Sequence, residues 1–437
     1  MTALIKKTAL LYCLLMAVFT ASLIAAFAIP AAPIKKNVAA SAQQISSERL
    51  WWQPMGLYLF QIDNMTDCMM LSICACDHQP TAAKRAMLAE HAILKQDGST
   101  PDYKLIDKAT YLYASGNGGD RLQYIDYARY WHGYAVVLRP LLCLFSYWQL
   151  RTANCIALAM LAIATTVLLY RRAGGRAAMT FAATLALTNS MIVPLAFQFS
   201  TCFYIAMGAM CLVLAVPAAT GSRHRTALLF FTVGAVCSFA DFLTTPVITL
   251  GMPLATLCLL RKDTTLRQAA GYSCSWAGGY ASVWASKWIL AWAVTGYDVV
   301  DNALSSAATR IGSTIVFGGR EMPMSEFFAL LADKAESAAG PYALPAAAAI
   351  AATAAAWGIY MSRRAIRRQP CLALVALMPL VWFAVMKNHS LQHIFFTWRD
   401  WLLTLWCCLL MACHSERLKK SKTNTCTTGT SSNASTI

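Results

Sequence analysis

The sequence predicts an all-α integral membrane protein with about ten transmembrane helices and a large extracytoplasmic loop after the first. Of its 437 residues, 58% are hydrophobic and only 13% are charged, whereas soluble domains carry about 25% charged residues. Most apolar residues fall in runs of about 20, the length that crosses a bilayer core about 30 Å thick. The charged residues are unevenly distributed, which predicts the orientation of these helices.

Half of the basic residues lie in six short segments that flank the predicted spans. These segments hold eighteen of the 36 Lys and Arg residues but only two acids, Asp263 and Glu416. The net charge of +16 therefore falls on one side of the membrane. This bias predicts a multi-pass protein of the cell membrane with both termini cytoplasmic, and nucleic acid is not an expected partner. The segments are centred on residues 6–7, 171–176, 223–225, 261–267, 363–368 and 417–422.

The chain divides into four parts. Residues 1–29 form a transmembrane anchor, which we favour over a cleaved signal peptide because its apolar run exceeds the usual 7–15 residues. Residues 30–135 form the extracytoplasmic loop and hold half of all acids. Residues 136–413 form a polytopic helical domain with a second outer loop at 296–340. Residues 414–437 are a polar tail that we expect to be disordered.

The later spans follow from the apolar runs. The short run at 134–149 is interrupted by Arg139-Pro140 and predicts a re-entrant or interfacial segment. Within the first outer loop, Pro80-Thr81 begins a pattern that predicts an amphipathic helix up to Gly98, with Met87, Leu88, His91 and Leu94 on one face. The remaining spans are predicted at about 152–170, 177–197, 200–219, 226–243, 246–260, 270–295, 341–361, 371–387 and 398–413.

Two acids near the start of the outer loop are the candidate catalytic residues. Asp67 and Asp63 are four apart in an apolar segment, so on a helix they would share a face near the membrane. Desolvated, paired carboxylates act as general bases or as ligands of a divalent cation. The alternative is that both are solvated loop acids. The sequence specifies no cofactor with certainty, and a divalent cation is the one candidate.

Seven further residues are candidates for substrate binding. Trp131, His132 and Arg139 lie where the chain re-enters the membrane, and Arg and His suit an anionic phosphate. Asp241 lies at the outer end of a span pair, where it serves either a site or a turn. The last outer segment adds His389, His393 and Arg399. An aromatic belt or interfacial histidines would explain several of these residues without a ligand.

These features together resemble the C-type glycosyltransferases, polytopic enzymes that use polyprenyl-phosphate sugars. The similarity rests on the anchor, the large acid-containing loop after it, and the later spans. Four segments also resemble an uncharacterised group of bacterial membrane proteins that we associate with this superfamily. The common Asp-x-Asp or Glu-x-Asp spacing is absent, since the two loop acids are four apart. The segments are ARYWHGYAVVLRPLL, PLAFQFSTCFYI, DFLTTPVITLG and HSLQHIFFTWR.

The resemblance implies an inverting sugar transfer from a lipid-linked donor to a glycan or lipid acceptor in envelope glycan assembly. It implies that Asp67 or Asp63 is the base, and that Arg and His side chains stabilise the departing phosphate. Two other functions remain open at this stage. A secondary transporter or flippase would depend on Asp241 and Arg139, although inverted repeats are not visible. A non-catalytic membrane assembly protein would depend on none of the carboxylates.

Overall fold

The computed structural model describes residues 2–54, 60–95, 103–312 and 369–413, with residue 56 and short stretches between 315 and 333. The predicted span at 341–361 and the predicted tail at 414–437 lie outside the described residues. The described chain is mainly helical, and its strands form only two-stranded pairs. Two hydrophobic clusters hold it together, one under the first loop and one among the later helices.

The first part of the chain alternates helices with short strands. Its two antiparallel pairs join β1 to β2 and β3 to β4. The elements are α1 (Thr2–Ala28), α2 (Ala31–Glu48), β1 (Trp51–Trp52), β2 (Ile62–Asp63), α3 (Asn64–Ala75), α4 (Ala82–Leu88), β3 (His91–Leu94), α5 (Ile106–Ala114), β4 (Leu122–Ile125) and α6 (Ala135–Leu142).

The second part is built of longer helices. A third antiparallel pair, β5 with β6, follows α14. The elements are α7 (Tyr147–Ala173), α8 (Gly175–Leu187), α9 (Phe197–Ala215), α10 (Pro217–Thr220), α11 (Arg223–Ala240), α12 (Pro246–Leu260), α13 (Leu266–Thr295), α14 (Val300–Ile311), β5 (Ile315–Phe317), β6 (Arg320–Met322), α15 (Pro370–Val385), α16 (Lys387–Gln392) and α17 (Ile394–Cys413).

Four described helices are long and apolar enough to cross a membrane. They are Leu4–Ala28 within α1, and the helices α7, α9 and α17. The helices α12 and α15 are also apolar but shorter. The chain therefore has the helical, membrane-spanning character that the sequence predicts, while the number of ten spans stays a prediction.

Helices α11 and α13 pack backbone against backbone. A Cβ atom on Gly234 would lie 2.0 Å from the carbonyl oxygen of Trp276, and one on Gly279 would lie 2.1 Å from that of Phe231. Only glycine permits this approach at both crossing points. Small residues at such crossings are typical of helices packed within membranes.

The helix predicted from Pro80 to Gly98 is wrong in its second half. Thr81 caps it as expected, accepting a hydrogen bond from the amide of Lys84 at 3.3 Å. The helix stops at α4, because Ala89 adopts a left-handed conformation with φ of 49°. The chain then forms β3, which pairs with β4, so the four apolar positions expected on one helical face do not share one.

A lysine on a distant helix donates hydrogen bonds to the carbonyl groups at the end of α4. Nζ of Lys287, which is fully buried on α13, donates to the carbonyl oxygens of Met87 at 2.7 Å and Ala86 at 3.2 Å. Carbonyls in the last turn of a helix lack partners within the helix. Here the side chain of Lys287 provides the missing donors, and it holds the end of α4 against α13.

Arg139 performs a similar role where α1, α3 and α6 meet. Its side chain is fully buried and donates to the carbonyl oxygens of Ala26 at 2.8 Å, Ile29 at 2.9 Å and Cys74. These carbonyls belong to the C-terminal ends of α1 and α3. The arginine thereby joins the anchor helix to the helix that carries Asp67.

Arg139→Met should lower the free energy of unfolding by about 3 kcal/mol, because it leaves buried carbonyls without donors. Thermal unfolding of the detergent-purified protein measures this. The exposed Arg121 donates only to carbonyls of its own turn, so the matched control Arg121→Met should change stability by less than about 0.5 kcal/mol. Loss of lipid-phosphate binding with unchanged stability would instead favour the substrate-binding role predicted from the sequence.

Candidate functional site

A cavity of about 600 Å³ lies between the first loop and the segments that precede the last helix. Among the described residues, its ionisable lining consists of one carboxylate, two guanidinium groups, two imidazoles and the phenols of Tyr103 and Tyr127. Among the described lining residues the carboxylate is Asp63, and the nitrogen groups are Arg129, Arg310, His389 and His393.

Each of the four segments that resemble the bacterial membrane proteins contributes at least one residue to the cavity lining. Arg129 comes from the first of them, Gln198 from the second, Phe242 from the third, and His389 and His393 from the fourth. Lining residues as far apart in the chain as Trp51 and Phe396 thus face one space. The folded chain therefore brings polar and charged residues of four separate segments together at one cavity.

The hairpin of β1 and β2 places Asp63 in the cavity wall. Trp51 pairs directly with Asp63, and Trp52 pairs with Ile62. Side chains directly opposite each other in an antiparallel pair lie on one face, so Trp51 and Asp63 both line the cavity. Asp63 is also the N-cap of α3, since its carboxylate accepts from the amide of Thr66 at 3.0 Å and from its hydroxyl at 2.7 Å.

The carboxyl group of Asp63 is poised to exchange a proton. Burial raises its pKa to about 6, and the two hydrogen bonds from Thr66 oppose that rise. A carboxyl with a pKa near the working pH can both accept and release a proton, as a general base requires. The environment of Asp63 therefore favours acid–base chemistry.

Asp67 lies in the first turn of α3 but points away from the cavity. One carboxylate oxygen accepts from the Tyr147 hydroxyl at 2.5 Å and the amide of Phe197 at 2.8 Å, and the other accepts from the amide of Gln198 at 3.1 Å. Burial raises its pKa, while these donors and Arg151 act in the opposite direction. Asp67 therefore caps the N-terminus of α9.

The network around Asp67 continues to a second charged pair. Arg151 donates to the Tyr147 hydroxyl and to the Asn64 side chain, each at 2.9 Å. It also forms a salt bridge with Glu48 at 2.7 Å. The network connects α2, α3, α7 and α9. The two acids that the sequence placed on one helical face thus have different surroundings, and neither is a solvated loop acid.

Neither of the two arginines that line the cavity forms a salt bridge with a carboxylate among the described residues. Arg129 donates to the Asn302 side chain at 3.1 Å and stacks on Tyr127, 4.3 Å from the ring centroid. Its Nε, and one terminal nitrogen of Arg310, are buried and have no hydrogen-bond partner there. Partly buried guanidinium groups of this kind are suited to bind an anion such as a phosphate.

The two histidines complete this side of the cavity. Their rings lie 4.9 Å apart, and Nε2 of His389 donates to the carbonyl of Leu243 at 2.8 Å. Burial lowers the pKa of His393 to about 4 and that of His389 well below its usual value. Both imidazoles are therefore neutral at pH 7, and an anion beside them would favour their protonation.

The other predicted binding residues do not line the cavity. The indole of Trp131 donates to the carbonyl of Val283 at 2.7 Å, and burial lowers the pKa of His132 to about 3. Arg139 holds the helix ends described above. Arg399 is buried on α17, where one terminal nitrogen donates to the carbonyl of Phe395 at 2.9 Å. None of these side chains is among the residues that line the cavity.

Asp241 stabilises the turn between α11 and α12. Its carboxylate accepts from the amides of Leu243 at 2.8 Å and Thr244 at 2.9 Å, and from the Thr244 hydroxyl. This turn is strained, since Leu243 has a φ of 76°. The carboxylate lies beside the thiols of Cys202 and Cys237, with donor atoms within 4.8 Å of one another. Because the turn already uses both carboxylate oxygens, the turn-cap alternative explains Asp241.

Sequence reasoning missed several lining residues. Arg129 stood in a segment already singled out, but Trp131 and His132 were preferred to it. Arg310 lies on α14, whose amphipathic pattern within the second outer loop was a signal that went unused. The four lining glutamines gave no signal, because an amide side chain is ordinary in a loop; they are Gln53, Gln61, Gln198 and Gln392.

No protein-family model, curated protein or solved structure matches this chain.

The two acids should respond oppositely to replacement by Asn. At Asp63 an amide keeps the cap, because its oxygen can accept from the Thr66 amide. The folded-state pKa of about 6 exceeds the ordinary 3.8, so ionisation of Asp63 lowers stability as pH rises through this window. Asp63→Asn should then raise stability at pH 7.5 by up to about 3 kcal/mol, and by less at pH 4.5.

Asp67→Asn turns an NH₂ group toward hydrogen-bond donors and should cost about 2–4 kcal/mol. Thermal unfolding of both variants at the two pH values measures the contrast. Equal destabilisation by the two substitutions would contradict the assignment of Asp67 as the structural acid.

Proposed function

We propose that this protein is an inverting C-type glycosyltransferase that moves a sugar from a polyprenyl-phosphate donor to an extracytoplasmic glycan or lipid acceptor in envelope glycan assembly. One observation carries the proposal. A single cavity beside apolar helices combines a carboxyl group of raised pKa with two arginines that keep unpaired nitrogens and two histidines. A base and an anion-binding wall are the two requirements of transfer from a lipid phosphate.

In this mechanism Asp63 takes the proton of an acceptor hydroxyl. The hydroxyl oxygen forms the new bond to the anomeric carbon while the bond from that carbon to the phosphate oxygen breaks. The bonding electrons leave with the lipid phosphate, and the configuration inverts. Arg129 and Arg310 bind the departing phosphate, with His389 and His393 as further donors. A divalent cation would find Asp63 as its only carboxylate among the described lining residues.

The sequence alone leaves both Asp63 and Asp67 as candidates for the base. The surroundings of Asp67 argue against it. Its oxygens are already engaged by Tyr147 and the start of α9, so an acceptor hydroxyl has no access to them. Asp63 lines the cavity and has the raised pKa.

The proposal includes the orientation predicted from the charges, with ten spans, both termini cytoplasmic and the cavity outside. Asn117 and His224 are both exposed, one in the first loop and one in a basic segment. A Cys at position 117 should react with a membrane-impermeant maleimide in intact cells, whereas a Cys at position 224 should react only after permeabilisation. The unsubstituted protein measures the background from its own cysteines. The reverse pattern would overturn the orientation.

Asp63→Asn should lower the transfer rate by about 100-fold or more, the usual scale for a general base. With a pKa of about 6, the ionised base accumulates as pH rises. The wild-type kcat/KM should therefore increase with pH up to about 7, and the residual activity of the variant should not. The measurement is a pH profile with purified protein and a lipid-linked donor.

Asp120 provides the matched control, because it is an exposed acid of the same loop that does not line the cavity. Asp120→Asn should keep the wild-type rate and profile. A normal rate for Asp63→Asn at equal membrane abundance would remove it as the base. Mild effects of every carboxylate variant would favour the assembly-protein alternative.

A transporter is the second candidate because α17 carries two neighbouring buried residues with ionisable side chains. Arg399 and Asp400 are 1% and 0% exposed. Among the described residues, both oxygens of Asp400 and two nitrogens of Arg399 lack hydrogen-bond partners. Ionisable groups buried in a membrane helix are typical of ion pathways. A severe effect of Asp400→Asn on solute uptake, with a mild effect of Asp63→Asn, would favour this alternative.

A further inference from the structure

The wall of the cavity around Asp63 has a different chemistry from the arginine side. In the β1–β2 register, Trp51 lies opposite Asp63 and Trp52 opposite Ile62, and Gln53 and Gln61 directly adjoin that second pair. The Gln53 amide donates to the Gln61 side-chain oxygen at 3.2 Å. Since alternate residues of a strand share a face, these four side chains form one surface, and all four line the cavity.

Gln198 extends this surface from a second element. It is 4% exposed, it lines the cavity, and its side-chain oxygen is buried without a hydrogen-bond partner among the described residues. A buried acceptor without a partner destabilises the folded protein, and a ligand hydroxyl that donates to it would relieve this cost. The position of Gln198 is fixed independently of any ligand, because its backbone amide donates to Asp67 at 3.1 Å.

The composition of this wall selects a type of ligand. Amide groups can donate to and accept from hydroxyl groups without adding charge. The indole of Trp51, which is 41% exposed, offers an apolar face to the C–H side of a sugar ring. The only charge on this wall is the carboxyl of Asp63, which would repel a second carboxylate.

The cationic groups belong to other elements. Arg129 precedes α6 and contacts Asn302 on α14, while Arg310 lies on α14. The Asn388 side chain of α16 donates to the carbonyl of Thr309 at 2.6 Å, which joins α14 to the segment that carries His389. The phosphate-binding groups thus form one connected wall, and the amides around Asp63 form another.

From this division we infer that the wall formed by Trp51, Gln53, Gln61 and Gln198 is a subsite for an uncharged, hydroxyl-bearing sugar ring, and that the Gln198 amide determines its specificity. The inference rests on the proposed function, because it places the sugar of a lipid-linked donor beside the base. It predicts a neutral sugar rather than a uronic acid.

The test measures binding of short-chain polyprenyl phosphates to the full-length protein in detergent micelles. One ligand carries no sugar, four carry glucose, galactose, mannose or arabinose, and one carries glucuronic acid. At least one neutral-sugar lipid should bind about tenfold tighter than the bare lipid phosphate, and the glucuronic acid lipid should bind more weakly than that one. Microscale thermophoresis gives the dissociation constants.

Variants then assign the subsite. Gln198→Leu should weaken binding of the preferred neutral-sugar lipid by about tenfold, the scale of a lost hydrogen bond with a buried donor left behind, and should leave the bare lipid phosphate unaffected. Trp51→Ala, at the exposed rim, gives the same pattern with little risk to folding. Gln392→Leu removes the same amide from α16 and should leave the sugar preference unchanged. Arg310→Ala should weaken every ligand.

The outcomes separate the two proposals. If wild-type protein binds the bare lipid phosphate but no neutral sugar adds affinity, or if Gln198→Leu weakens all ligands equally, the sugar subsite is wrong and the proposed function stands. If neither the bare nor any sugar-bearing lipid phosphate binds, the proposed function fails and the subsite fails with it.

Discussion

The carboxylate of Asp67 is the interaction on which the arrangement of the site depends. It accepts hydrogen bonds from Tyr147 on α7 and from the first two amides of α9, so three helices meet at one buried group. Asp63 begins the helix that Asp67 anchors, and Gln198 is one of the residues whose amide it accepts from. A buried acid outside the cavity lining therefore sets the positions of two side chains that line it.

Four arginines among the described residues differ in what their side chains meet. Arg139 and Arg151 are buried and donate to backbone carbonyls or to Glu48, Asn64 and Tyr147, and they stabilise junctions between helices. Arg129 and Arg310 are partly exposed and line the cavity, where each keeps one buried nitrogen without a partner among the described residues. A guanidinium group that faces a cavity is suited to bind an anion, whereas one surrounded by protein acceptors stabilises the fold.

Much of the architecture could be predicted from local pattern. The lengths of the apolar runs predicted α7, α9, α12 and α15 to within a few residues, since burial in a bilayer depends on composition over a fixed length. The short apolar run at 134–149 contains the eight-residue helix α6, and its re-entrant or interfacial placement stays a prediction. The helix from Pro80 failed where local propensity gave way to pairing between β3 and β4 and to Lys287, which lies almost 200 positions along the chain.

The sequence by itself determined that this protein is helical and apolar, and it identified Asp63, His389 and His393 as candidates, because acids and histidines beside apolar runs are conspicuous. It could not rank Asp63 against Asp67, nor Arg129 against Arg139. Each pair has the same chemistry in nearly the same sequence surroundings. Only the tertiary structure separated them, since whether a buried charge is met by protein groups or left facing a cavity depends on residues that are distant in the chain.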